Sequence, residues 1–227
     1  MTFSPEPRLI SFTICPFAQR TRVLLNVKNI AHSIEYIDLE NKPDWFTDRV
    51  PTGKVPALLV GEETLFESAI INEYLDEISP GSLLPDDPLE RAKTRAWISL
   101  ADDLIFRQYH MLLAQDEADF ETEQAGLSAG LAQFADIAAE RTAAADVTLI
   151  DAALVPVFTR LSELPFVGQQ VQRRLNATPQ IMEWSERLQS AEPVKASIAS
   201  DFPAAFAAFF RKRNSYALGQ AKEIQHA

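Results

Sequence analysis

The sequence is poor in the residues that build metal sites, disulfide frameworks and membrane spans. It holds one cysteine, three histidines and seven glycines in 227 residues. A single thiol excludes an internal disulfide and a cysteine-rich metal site, and it fits a reducing compartment, expected to be the cytoplasm. His32, His110 and His226 have no ligand spacing to one another, so no metal is expected. No stretch approaches about 18 uninterrupted apolar residues, so no membrane partner is expected. The polar, proline-containing start from Met1 to Arg8 lacks the apolar centre of a secretory leader. Positive charge is also in deficit: 21 Lys and Arg face 32 Asp and Glu, a formal net charge of −11, which argues against nucleic acid. What remains is an apolar content of 47% with 23% charged residues, ordinary for a globular chain able to bury a sizeable core.

The chain has two rhythms. Up to residue 78, strand-like and helix-like segments alternate. Leu9–Thr13 reads as a strand. Pro16–Asn29 reads as a helix, with Val23, Leu24, Val27 and Ile30 on one face and Arg20, Arg22 and Lys28 as polar counterparts. Ile34–Leu39 is β-rich, Asp44–Arg49 can form a short helix, and Val55–Val60 with Thr64–Phe66 flank the hairpin turn Gly61-Glu62-Glu63. Glu67–Glu77 is then helical and stops at Ser79-Pro80-Gly81. The order βαβαββα implies a mixed sheet covered by helices. After Pro88 the strand signals vanish and Ala/Leu/Glu-rich helical segments take over, with a boundary near residue 85. Thr148 and Asp151 have the spacing of a capping box at the start of a buried helix.

The one cysteine sits where a strand ends and a helix begins, in Thr13-Ile14-Cys15-Pro16-Phe17-Ala18-Gln19-Arg20. Free N–H groups and the dipole at a helix start stabilise a thiolate, which lowers a thiol from about 8.5 toward roughly 3.5 to 7.5. Pro16 suits the first turn, where its missing N–H costs nothing. Three residues on stands Ala18 rather than a second cysteine, so a thiol that resolves a disulfide at Cys15 must come from outside the chain. The competing reading is a buried small hydrophobe.

The run from Cys15 to Arg22 is followed by Asn41-Lys42-Pro43-Asp44-Trp45-Phe46, Val55-Pro56, Glu67-Ser68-Ala69-Ile70, Glu73-Tyr74-Leu75-Asp76-Glu77 and Leu84-Pro85-Asp86-Asp87-Pro88. Together, in this order, they resemble the cytosolic glutathione transferases, and within them the cysteine-type omega class and its bacterial relatives. The resemblance implies an α/β thioredoxin-like, glutathione-binding domain over residues 1–80, a linker over 81–88, and an all-α domain over 89–227 that carries the co-substrate pocket. Glutathione is then the co-substrate, and Cys15 the catalytic thiol. Phe17 would shield it. Pro56 would follow a cis bond, leaving the Val55 N–H and C=O to pair with the cysteinyl backbone, whereas an ordinary trans strand-start proline is the alternative. Glu67 would pair with the γ-glutamyl ammonium and Ser68 with its carboxylate, though a plain helix start reads the same way. Lys42 would hold the glycyl carboxylate, or be a solvated loop lysine. Phe106, Tyr109, Met111 and Trp184 are candidates for the pocket, each of which also suits a core. The apolar segment from Phe202 to Phe210 should pack back on the body and roof the cleft.

The implied activities are thiol transfer, dehydroascorbate reduction and deglutathionylation of a small electrophilic or disulfide substrate, with weak conjugation, in a homodimer. A glutathionyl-quinone reductase fits less well, having Cys-Pro-Trp and longer chains. From another class, a non-catalytic binding protein like the intracellular chloride channel proteins shares Cys-Pro-Phe. Arg20, Arg22, Asn26 and Lys28 make the first helix a poor membrane segment.

Overall fold

A computed structural model describes residues 6–224; the readings placed on residues 1–5 and on His226 fall outside them. The first seven elements come in the expected order: β1 (Arg8–Ser11), α1 (Pro16–Val27), β2 (Ser33–Tyr36), α2 (Asp44–Arg49), β3 (Ala57–Val60), β4 (Glu63–Phe66) and α3 (Ser68–Glu77). The strands form one sheet in the order β2-β1-β3-β4. β1 runs parallel to β2 and antiparallel to β3, which pairs antiparallel with β4. The period of two sorts the central strands: Leu9 and Leu58, direct partners, face the main core, while Ile10, Ala57 and Leu59 face Phe46 and Val50 around α2.

From Pro88 onward the described residues contain no strand. They form α4 (Pro88–Leu113), α5 (Glu117–Ala132), α6 (Ala135–Arg141), α7 (Leu149–Glu163), α8 (Pro165–Arg174), α9 (Gln180–Ser190), α10 (Glu192–Lys195), α11 (Phe202–Arg211) and α12 (Tyr216–Ile224). No described helix is long and apolar enough to cross a membrane. Asp87 caps α4 by accepting from the Leu89 and Glu90 N–H groups at 2.9 and 3.0 Å, with Pro88 at the first helical position. The capping box of α7 is present: Thr148 Oγ1 accepts from the Asp151 N–H at 3.3 Å, and Asp151 Oδ2 accepts from the Thr148 N–H at 2.7 Å.

Helices α1 and α7 pack together through the main core, joining the two halves. Two of the polar residues of α1, Arg20 and Lys28, have buried side chains, each paired with a carboxylate. Lys28 Nζ pairs with Asp76 Oδ1 at 2.6 Å, their side chains 4% and 2% exposed. Asp76 also accepts from the Leu83 N–H at 3.0 Å, which holds the segment after α3.

Candidate active site

Cys15 is the N-cap of α1 and opens into a cavity of about 510 Å³ between the sheet half and the helical half. Its Sγ accepts from the Ala18 N–H at 3.4 Å and donates to the Val55 carbonyl at 3.6 Å. The Val55–Pro56 bond is cis, as expected. The thiol is only 8% exposed. Burial pushes it above its ordinary value; the Ala18 N–H, the Arg160 charge, the Phe17 N–H and Arg20 counteract this only in part. The depressed thiol expected at a helix start is therefore corrected: enclosure outweighs the helix terminus.

Beside the thiol, Phe17 lies 5.4 Å from the Phe106 ring, and the Arg20 guanidinium stands 5.2 Å over Phe17. Arg20 donates from Nε to Ser68 Oγ at 2.8 Å and pairs with Asp102 of α4. Ser68 opens α3 and is buried; its oxygen accepts from Arg20, which leaves its own proton free to donate. Glu67 before it is exposed, with no side-chain cap bond and a φ of 66°. That left-handed backbone is uncommon for a residue with a side chain and recurs at functional sites. Glu67, Ser68 and Asp102 line a side pocket of about 130 Å³ that shares Phe17, Lys54, Val55 and Phe106 with the main cavity. Lys42 is exposed and lines the main cavity near Gly53, whose φ of 57° suits a residue without a side chain.

Of the four co-substrate candidates, the structure brings two to the cavity. Phe106 and Tyr109 of α4 line it, 52% and 38% exposed. Met111 and Trp184 are corrected: both are fully buried in the core and line no part of it. One face of α4 is turned to the cleft and another inward, which separates Tyr109 from Met111. Trp184 on α9 is held by its indole N–H, which donates to Asp151 Oδ1 at 2.6 Å.

Sequence reasoning missed Arg160 of α7. Its Nη2 donates to the Ile14 carbonyl at 2.6 Å, and its Nη1 to Gln19 Oε1 and the Pro156 carbonyl, both at 2.8 Å. Burial pulls this guanidinium down to about 10 while the thiol's charge opposes the fall, so it is cationic at neutral pH. The visible signal was an arginine inside the apolar run from Ala152 to Leu161. Also missed were Phe12 after β1 and Arg213 after α11. Phe209 packs 6.0 Å from Phe12, and Arg213 stacks 3.5 Å over Phe209. Glu40 bonds Lys212 at 3.2 Å and Arg213 at 3.5 Å, tying the loop after β2 to the end of α11. Helix α11 thus roofs the cleft with Phe209 and Phe210, as expected of that segment.

Residues 14–78 match the family model described as "Glutathione S-transferase, N-terminal domain". Over 195 residues the chain is 32% identical to glutathione S-transferase omega-1 of Sus scrofa, spanning 83% of this chain and 79% of that protein. It is also 32% identical over 200 residues to pyrimidodiazepine synthase of Drosophila melanogaster, with the same shares, 83% and 79%. Among solved structures, glutathione transferase Omega 3C from Trametes versicolor superposes with a TM-score of 0.76 at 23% identity, covering 91% of each chain. A rice glutathione transferase solved in complex with glutathione gives 0.77 at 24% identity, covering 91% of this chain and 98% of that one. These two share the thioredoxin-like plus helical fold.

Proposed function

The chain belongs to the glutathione S-transferase family as an omega-like member, and on that premise we propose that it transfers thiols through a mixed disulfide between Cys15 and glutathione. The observation that carries this is a single thiol at a helix start, opening into a cavity that adjoins the side pocket lined by Ser68 and Glu67, with no second cysteine in the chain. In this reading the Cys15 thiolate attacks the glutathionyl sulfur of a glutathionylated substrate. A sulfur–sulfur bond forms to Cys15, the substrate's bond breaks, and the substrate thiolate leaves to take a proton. A second glutathione thiolate then bonds to the glutathionyl sulfur, glutathione disulfide departs, and Cys15 keeps the released electron pair. The net reaction exchanges one disulfide for another: the substrate leaves as a thiol, one reduced glutathione is consumed, and it departs bonded to the glutathionyl group that the substrate carried.

Each glutathione group has a complementary residue. Ser68 and the free N–H groups at the start of α3 suit the γ-glutamyl carboxylate, and Glu67 its ammonium. The backbone of Val55 suits the cysteinyl peptide, and Lys42 the glycyl carboxylate. Phe17 shields the sulfur. Phe106 and Tyr109, with Phe209 of α11, offer the co-substrate an apolar wall. Thiol exchange, dehydroascorbate reduction and deglutathionylation fit this arrangement better than conjugation, since a protein thiolate competes for the glutathione sulfur by bonding to it. Residues 1–80 would serve as the glutathione-binding domain and 89–227 as the co-substrate domain, joined at 81–88. Phe66, Ile70 and Leu89 are 37%, 58% and 63% exposed on β4, α3 and α4, which favours a homodimer that covers them. A cytoplasmic site of action suits the free thiol.

Intact mass after incubation with glutathione disulfide tests the reading. Wild type should gain one glutathionyl group, lose it on adding reduced glutathione, and show neither change as Cys15→Ala. A folded wild type that stays unmodified overturns it.

A further inference from the structure

Arg160 is buried with its cation unmatched. Its polar contacts go to two backbone carbonyls and the Gln19 amide, all neutral, and its face stands 5.2 Å over the Phe202 ring. Among the described residues no carboxylate oxygen comes within 4.0 Å of the guanidinium. An enclosed cation without an anion is costly, and proteins normally pair it. Glu163, one turn on, acts only at longer range. Cys15, the residue after the Ile14 carbonyl that Arg160 grips, lines the same cavity as the guanidinium and carries its ionisable thiol there.

The other charged groups around the thiol are spoken for or more remote. Arg20 is paired with Asp102, Arg213 with Glu40, and Arg22 donates to Tyr36 Oη at 3.0 Å. Asp38, Lys42 and Lys54 line the wider cavity from loops, and Tyr109 from α4.

We propose that the Cys15 thiolate is the counter-ion of Arg160, and that Arg160 is the positioning residue that lets this enclosed thiol ionise. The role rests on the thiol-transfer reading for its purpose and deepens it. In the first exchange the thiolate gives its pair to the new sulfur–sulfur bond. In the second, that bond breaks as glutathione sulfur bonds to glutathione sulfur, and the pair returns to Sγ beside the guanidinium. Arg160 thus assists Cys15 both as nucleophile and as leaving group. The cation comes from the helical half and the thiol from the sheet half, so the reactive unit exists only where the halves meet.

Alkylation by iodoacetamide, followed on the full chain from about pH 6 to about pH 11, needs no glutathione and reports thiolate directly. Arg160→Gln should react about tenfold more slowly below the midpoint and titrate higher than wild type, with Arg160→Lys in between. If the glutamine variant does not fold, the wild-type chain answers by itself. Its Arg160 Nε–H resonance should move with the alkylation midpoint and stay flat in Cys15→Ser. An unchanged midpoint in folded Arg160→Gln, or an Arg160 resonance indifferent to Cys15, overturns the pairing. Failure of wild type to take up a glutathionyl group would remove the thiol-transfer reading while leaving these titrations intact, so the two failures are distinguishable.

Discussion

Helix α7 buries two charges and treats them in opposite ways. At its start Asp151 is saturated. One carboxylate oxygen accepts from Trp184 at 2.6 Å and Arg187 at 2.9 Å, and the other from Arg141 at 2.8 Å and from the Thr148 N–H and hydroxyl. Near its end Arg160 has, among the described residues, no carboxylate oxygen within 4.0 Å, and its hydrogen bonds go to neutral acceptors in the cavity that Cys15 also lines. A saturated buried charge joins elements: Asp151 links α6, α7 and α9. An unsaturated one beside an ionisable group is held for that group. The same helix therefore carries a structural node at one end and a chemical one at the other.

The largest effect expected from breaking this contrast is at Asp151. Asp151→Ala leaves two guanidinium groups without their buried carboxylate, and should cost about 3–5 kcal/mol. Thermal unfolding would show it as a fall in Tm of roughly 10 °C for a chain of this size. Glutathionyl uptake per folded molecule should not change. Trp184→Phe keeps the ring and removes one donor to a charged acceptor. A loss of about 1.5–3 kcal/mol is expected, again with unchanged uptake; a kinetic change instead would return Trp184 to the pocket.

The next test is one of sign. Because burial holds the folded Cys15 thiol above its unfolded value, its contribution to stability is fully present below about pH 8.5 and is lost as pH rises through the folded value. Wild type should lose Tm relative to Cys15→Ser in that alkaline window and track it in acid. A gain there would mean that Arg160 and the helix start outweigh desolvation. The smallest effect belongs to the exposed Glu40 clasp. Glu40→Gln should cost less than about 1 kcal/mol, measured by denaturant midpoint.

The two halves differ in how much of them could be read from sequence. In the first, the candidate site residues Cys15, Val55 and Glu67-Ser68 sit at element ends with a local signature: Cys15 before Pro16, Val55 before Pro56, Glu67-Ser68 at a helix start. The structure places these residues around one cleft because turns and caps are short-range. In the second, periodicity gave helices but not the faces they turn to the cleft. Phe106 and Tyr109 look no different from Met111 in a list of apolar residues on α4. Trp184 was misread because its N–H partner, Asp151, lies 33 positions away. Arg160 was passed over because nothing local says whether an arginine in an apolar run is paired.

By itself the sequence determined the element order βαβαββα, the all-helical remainder, the capping box of α7 and a lone thiol at a strand–helix junction. Those depend on periods of two and 3.6, on proline and glycine, and on neighbours a few residues apart. Tertiary structure alone decided that the thiol is enclosed, that Arg20 bridges Ser68 to Asp102, and that a guanidinium from α7 grips the carbonyl beside Cys15. Solvation and charge act through space, and the contact between Arg160 and Ile14 spans 146 positions of chain.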